Sequence, residues 1–259
     1  MTILMRMSSN SLPHGRISIA SGYRALAVDG RDAGAFLQAQ LSADLAPSAQ
    51  RVVYSAWCNA RGQVRALLHV CQREPGRWLL LYPAEYAEAL RKLRMFILRA
   101  QVQLQPLPTP AAWLGPAPPP ADAALVRIDP WRALLLDTAG EEAGAGMDDA
   151  RPAGGDGADG AAHFALLGAL RGEPQWPAAQ AETQIPQSLG LREGFGLSLR
   201  KGCYPGQEII SRVHYRGRPP RRLHSVVGPA PAAEAFYRQA LPGAPELILS
   251  QALRPHGGD

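Results

Sequence analysis

Residues Phe195 to Gly217, reading FGLSLRKGCYPGQEIISRVHYRG, hold the side chains best placed to do chemistry. Pro205 suits the first turn of a helix, Glu208 favours the positive end of its dipole, and Gly217 suits the C-terminal cap; Ile209, Ile210 and Val213 supply one apolar face. Cys203 therefore falls on a glycine-punctuated loop just ahead of a helix N-terminus. With Arg200 and Lys201 nearby, a thiol there is expected to have a lowered pKa, because cations and unpaired backbone N–H groups favour the thiolate. The competing reading is a small buried thiol without reactivity. His214 does not complete a Cys/His pair, since eleven residues of helix at 1.5 Å each put it about 16 Å away.

Other chemistries find less support. His14, His69, His163, His224 and His256 form no HxxxH or HExxH spacing, so no metal site is expected. Gly154, Gly155, Gly157 and Gly160 are not led in by a strand or followed by Gly-Lys-Ser/Thr, and read as linker rather than phosphate loop. Trp57, Trp78, Trp113, Trp131 and Trp176 read as core or subdomain contacts. Charge is uneven: of a net +5, the stretch from Arg192 to Arg222 carries eight basic residues against Glu193 and Glu208, a local +6. That cluster is either a solvated face or a site for an anion such as RNA phosphate or a polyglutamate tail.

With 259 residues the chain can bury a core without staples. Three cysteines with no CxxC pair give neither a disulfide framework nor a thiolate metal site, which fits a reducing, cytoplasmic setting. No run of 18 apolar residues occurs, and Pro13 interrupts any signal-peptide core, so neither membrane spanning nor secretion is expected.

The elements that must position the loop read as α+β. Tyr23 to Val28 alternates as a strand, and Asp32 can cap a helix through Leu41 with Phe36, Leu37 and Leu41 on its apolar side. Val52 to Cys58 and Val64 to Val70 form strands joined by Asn59-Ala60-Arg61-Gly62, followed by a strand from Trp78 to Tyr82. Pro83 opens a helix to about Met95, and Phe96 to Leu104 returns as a strand. From Gln105 to Pro120 there are seven prolines in 16 residues, predicting a stiff extended connector and a subdomain boundary. Strands at Ala124 to Ile128 and Trp131 to Asp137 precede a Gly/Ala/Asp-rich insertion, Ala139 to Ala162, expected to be disordered. The expected division is 16–104, the connector 105–120, a second α+β subdomain 121–222, and a short C-terminal remnant 223–259.

Lys201-Gly202-Cys203-Tyr204-Pro205-Gly206-Gln207-Glu208 resembles, at every fixed position, the K-G-C-Y-x-G-Q-E signature of the YgfZ family, folate-binding relatives of the glycine-cleavage T-protein. Supporting matches are Phe36 to Asp44 (FLQAQLSAD), Asn59 to Gln63, Arg94 to Arg99, Ile185-Pro186-Gln187 and Tyr215-Arg216-Gly217. The resemblance implies a ring of GcvT-type, ferredoxin-like α+β subdomains around a tetrahydrofolate pocket, closed by a C-terminal β-barrel. It implies a monomeric accessory factor for iron-sulfur cluster assembly or repair, and through it tRNA thiolation. By the same resemblance Cys203 is the functional thiol with Lys201 as its companion, and Gly202, Tyr204, Gly206, Gln207 and Glu208 shape the loop. Gln40, Asp44, Gln187 and Arg216 become the expected folate contacts.

Two departures bear on this. Only 36 residues follow Leu223, too few for the family's barrel, so that domain is expected to be reduced or missing. The Ala139 to Ala162 insertion also lies outside the family pattern. The rival functions are a folate-dependent aminomethyltransferase, and a basic RNA- or tRNA-binding protein lacking RRM, KH or aromatic stacking signatures.

Overall fold

The computed structural model describes residues 16–18, 22–46, 52–114, 124–136, 157–231, 234–241 and 244–255. In chain order its strands and helices are β1 (Arg16–Ser18), β2 (Tyr23–Asp29), α1 (Ala33–Gln40), β3 (Val53–Cys58), β4 (Val64–Glu74), β5 (Arg77–Pro83), α2 (Ala87–Arg91), β6 (Gln103–Pro106), β7 (Ala111–Leu114), β8 (Ala124–Asp129), β9 (Arg132–Leu136), α3 (Gly157–Leu170), β10 (Arg192–Glu193), β11 (Gly196–Leu197), α4 (Gln207–Arg216), β12 (Arg221–Gly228), β13 (Ala235–Leu241) and β14 (Ala244–Pro255). They build a seven-stranded sheet in the order β10-β11-β3-β4-β5-β2-β6, a four-stranded sheet β1-β7-β9-β8 and a three-stranded sheet β12-β14-β13.

Strand alternation assigns the two faces of the large sheet. Leu26, Val28, Trp78 and Leu80 pack with Ala33, Phe36 and Leu37 of α1 on one side. Tyr23, Ala25, Leu79 and Leu81 pack on the other with Ala112, Leu134 and, from α3, Phe164 and Leu167. Each large apolar side chain so buried contributes roughly 1.5–3 kcal/mol before entropy is counted. The middle sheet layer is thus covered on both sides, as the expected α+β class requires.

Several local expectations are corrected. The Pro83 to Met95 helix is split, with α2 lying between 3₁₀ turns at Ala84–Tyr86 and Lys92–Phe96. No strand begins at Phe96; only Gln103–Pro106 pairs with β2, and Leu98 is left 87% exposed. The proline-rich stretch supplies two strands rather than none. Pro106 ends β6, an edge strand where a missing N–H breaks no ladder, and β7 is proline-free. Residues 115–120 lie outside the described set, as do 139–156 of the insertion. Residues 157–162 instead open α3, where burial of Phe164, Leu166, Leu167 and Ala169 overrides weak glycine propensity. Asp32 precedes α1 without bonding a helix N–H; its Oδ2 accepts the Gln101 N–H at 2.7 Å.

The C-terminal stretch holds more order than its composition announced. It forms the β12-β14-β13 sheet, and no closed barrel is present among the described residues.

Candidate functional site

The signature loop lies against the end of α1. Lys201 Nζ donates to the carbonyls of Leu41 at 2.6 Å and Ala43 at 2.9 Å, and lies 5.1 Å from the centroid of the Tyr204 ring. It meets the negative end of the helix dipole, where a cation is favoured. Burial lowers the Lys201 ammonium to about 8, with Asp44 opposing. Buried Tyr204 donates its hydroxyl to Ser198 O at 3.1 Å, and desolvation raises it. Gln207 Nε2 reaches back to Lys201 O at 3.4 Å. Exposed Glu208 pairs with Arg212 at 2.8 Å. Gly206, in the left-handed region at φ +78°, stands at the N-cap of α4, so Pro205 precedes the cap instead of entering the first turn. Cys203 is exposed, unlike Cys58 and Cys71.

Gln40, Asp44, Gln187 and Arg216 are divided between two places. Gln40 ends α1 with a buried Oε1 that has no hydrogen-bond partner among the described residues. Asp44 accepts from Ala46 N and Gln38 Nε2, and these bonds lower its carboxyl, helped by Lys201. Asp44 therefore joins the Lys201 anchor, and Gln40 directly precedes Leu41, whose carbonyl Lys201 binds. Gln187 donates to Ile210 O at 2.7 Å inside α4, and Arg216 is exposed in that helix's last turn.

A second constellation sits across β3. Ser55 turns toward α1, where its Oγ takes the Ala43 N–H, whereas neighbouring Tyr54 packs 4.9 Å from the His69 ring on the opposite face. There a cavity of about 260 Å³ is lined by residues that include Tyr23, Tyr54, His69, Tyr86, Glu173, Trp176 and Tyr237. Gln40, Asp44, Gln187, Arg216 and residues 201–208 do not line it. Glu173 is buried and bound at both oxygens by the equally buried Arg132, with His69 Nε2 at 3.2 Å from Oε1. Burial pushes the Glu173 carboxyl up, but His69 and Arg132 together outweigh it and hold it below the usual range. Arg132 is in turn bound by Asp129, and its guanidinium lies 5.1 Å from the Phe164 ring centroid. Gln251 of β14 donates to Glu173 O at 3.0 Å and accepts the Gln175 N–H, so the C-terminal sheet holds the wall in place.

Two residues lining this cavity, His69 and Tyr237, each carry a buried polar atom, Nδ1 and Oη, with no hydrogen-bond partner among the described residues. Such atoms are costly unless a ligand or water meets them. Sequence reading did not single out Arg132, Glu173 or the tyrosines. A charged residue inside the apolar run Trp131 to Leu136 was the one visible sign. Among the described residues no cluster of His, Cys, Asp and Glu could hold a metal ion, and no helix is long and apolar enough to cross a membrane.

Comparison with known proteins agrees with the signature. The chain is 27% identical over 270 residues, 94% of its length and 76% of the relative's, to the tRNA-modifying protein YgfZ of Vibrio vulnificus (strain YJ016). It is 27% identical over 248 residues to the protein of the same name from Yersinia pestis (strain Pestoides F), covering 86% of this chain and 74% of that one. No family model matches. Among solved structures, the glycine cleavage system aminomethyltransferase T from Bartonella henselae superposes with a TM-score of 0.64 at 16% identity, covering 95% of this chain and 79% of that one. The resemblance to the YgfZ family is thus carried by relatives of that name along most of the chain, and the fold is that of aminomethyltransferase T.

Proposed function

We propose that this chain is a folate-binding accessory protein supporting iron-sulfur cluster assembly or repair, and through it tRNA modification, with Cys203 as its reactive thiol. The observation that carries the folate half is the cavity. Its aromatic walls suit a flat ring, and the unpartnered polar atoms of two lining residues, His69 and Tyr237, suit the polar edge of a pterin. At about 260 Å³ it falls just short of the roughly 300–1,000 Å³ of sites that enclose a whole drug-sized ligand, so it would take the bicyclic head and leave the glutamate tail outside. Tyr237 of β13 lines the pocket and Gln251 of β14 braces Glu173 in its wall, so the C-terminal sheet contributes to it. A bound tetrahydrofolate would supply a one-carbon carrier or a reductant. The protein's own part is to hold the head between aromatic rings, exclude water from it, and present Cys203 at the surface on a loop fixed by Lys201. The relatives named tRNA-modifying protein support the tRNA-related half.

The test is calorimetric titration of the full chain with tetrahydrofolate and 5-formyl-tetrahydrofolate, beside Cys203→Ala. Micromolar binding retained in Cys203→Ala is expected. Absence of binding in the intact chain overturns the folate half. Cells relying on Cys203→Ala should then show reduced iron-sulfur enzyme activity and less thiolated tRNA; unchanged levels remove the thiol from the reading. An aminomethyltransferase, the alternative favoured by the fold, requires turnover with an aminomethyl-lipoyl carrier protein, and its absence in a glycine-cleavage assay removes that alternative.

Direct RNA binding is favoured by one further observation. Tyr215, 71% exposed, stands among exposed Arg216, Arg218, Arg221 and Arg222, a pairing of ring and cations that single strands use. Gel shifts across a salt series discriminate: tRNA affinity surviving at physiological salt supports it, and steep loss marks charge attraction alone.

A further inference from the structure

The orientation of His69 follows from its neighbours. Its ring is packed between Tyr54, at 4.9 Å between centroids, and Tyr23, at 6.1 Å. Its Nε2 meets Glu173, whose two oxygens are both engaged by Arg132. Arg132 is itself fixed by Asp129, which also pairs with Arg171 at 3.3 Å. An ionised carboxylate can only accept hydrogen bonds. The bond between Glu173 and the imidazole must therefore use a proton on Nε2, and in the neutral ring this leaves Nδ1 as a bare acceptor. Nδ1 is buried without a partner, in a residue 2% exposed that lines the cavity. Tyr237, which lines the same cavity, likewise carries a buried hydroxyl without a partner among the described residues, and that hydroxyl can donate.

From this we infer that His69, aimed by Glu173 and Arg132, is the group that orients a flat lactam-type heterocycle in the cavity by accepting its ring N–H at Nδ1. Tyr237 offers its hydroxyl to a ring carbonyl of the same ligand. Aliphatic or carboxylate ligands would leave Nδ1 unsatisfied and are disfavoured, because a buried acceptor without a donor costs more than an average hydrogen bond gains. The inference rests on the cavity being a ligand site, as the proposed function has it, and not on the ligand being a folate.

Two measurements test it. Nitrogen-15 NMR of the ligand-free protein should show the His69 imidazole with its proton on Nε2; a proton on Nδ1 overturns the inference. Calorimetry with 5-formyl-tetrahydrofolate, pterin and N3-methylpterin then reads the contact directly. The native chain should prefer pterin over N3-methylpterin by about tenfold or more, the scale of one buried hydrogen bond. His69→Gln, whose amide can still donate to Glu173 while leaving the Nδ1 position empty, should keep the native melting curve and lose that preference. Equal affinity for the two pterins in the native chain, or an undiminished preference in a folded His69→Gln, overturns the role of His69 while leaving folate binding intact. Binding of pterin that depends on His69, with none of 5-formyl-tetrahydrofolate, removes the folate reading and leaves this one standing. Failure of all three probes to bind overturns both.

Discussion

Gly206 meets Gly62 with no room for a side chain: a Cβ on Gly206 would stand 2.3 Å from the Gly62 Cα and 2.4 Å from its nitrogen. Both residues have φ in the left-handed region, at +78° and +74°. The N-cap of α4 is thereby seated on the β3–β4 turn, which Asn59 braces by accepting the Arg61 and Gln63 N–H groups on its Oδ1. Cys203, three residues before Gly206, takes its position from that hairpin as well as from the Lys201 anchor.

Within one motif, then, two glycines differ in what they tolerate. Gly206→Ala forces both an unfavourable φ and a backbone collision, and should cost at least about 2 kcal/mol in urea unfolding. Gly202 has nothing within 4 Å of its added Cβ, so Gly202→Ala should stay within about 0.5 kcal/mol of the native chain. Equal losses from the two would contradict the seating of the loop.

Lys201 carries a pH signature. Its folded pKa, lowered by burial to about 8, lies below the unfolded value of about 10.4. Between these values the folded state binds fewer protons, so the cost of burying the ammonium is fully present below pH 8 and relieved as pH rises toward the unfolded pKa. Cys58 and Cys71, raised by desolvation to about 12 and about 11, work in the opposite direction in alkali. The informative quantity is therefore a difference. The stability of the native chain minus that of Lys201→Met should shift in favour of the native chain between pH 8 and 10; a difference that does not move with pH would refute the shift.

The same contrast explains what could be read from the sequence. Strands β2, β4 and β5 and helix α4 declare themselves through local periodicity and caps, and the signature names its own loop. Glu173 and Arg132 are 41 positions apart and His69 is 104 positions from Glu173, so no spacing announces their network. The cavity draws on separate segments around residues 23, 54, 69, 86, 173 and 237, and only the fold brings them together. The proline-rich strands were hidden because composition reports missing donors without saying that β6 is an edge. The expected folate contacts follow from sequence likeness alone; Gln40 and Asp44 lie by the end of α1, Gln187 and Arg216 at α4, and none of them lines the cavity.

Thiol chemistry should separate the three cysteines. Cys203 is exposed, whereas Cys58 and Cys71 are buried and their thiols are raised by desolvation. Titration of the folded protein with an aromatic disulfide at pH 8 should therefore show one fast thiol, with the other two appearing only on unfolding. Cys203→Ala should abolish the fast phase. More than one fast thiol in the native chain would mean that the sheet around Cys58 or Cys71 opens readily.

The buried pair under the cavity should be the most sensitive part of the molecule. At Gly168 of α3 a Cβ would come within 2.6 Å of both Arg132 Nη1 and Glu173 Oε2, so the helix backbone itself closes over the pair. Alanine ordinarily stabilises a helix interior by about 1 kcal/mol relative to glycine. Here Gly168→Ala should do the reverse, because the added Cβ would push the guanidinium and carboxylate out of their bidentate geometry. Glu173→Gln leaves Arg132 charged and buried without its bidentate partner, at an expected cost of roughly 3–5 kcal/mol. Replacing both partners together, as Arg132→Met with Glu173→Leu, should recover part of that loss, since the buried guanidinium leaves with its partner while Asp129 keeps Arg171. Ligand affinity should not recover with stability in the double variant, because His69 then has no carboxylate to fix its proton. Thermal melts and pterin titrations on the three variants measure these two quantities separately. If affinity returned together with stability, the pair would serve the fold alone and His69 would be aimed by something else.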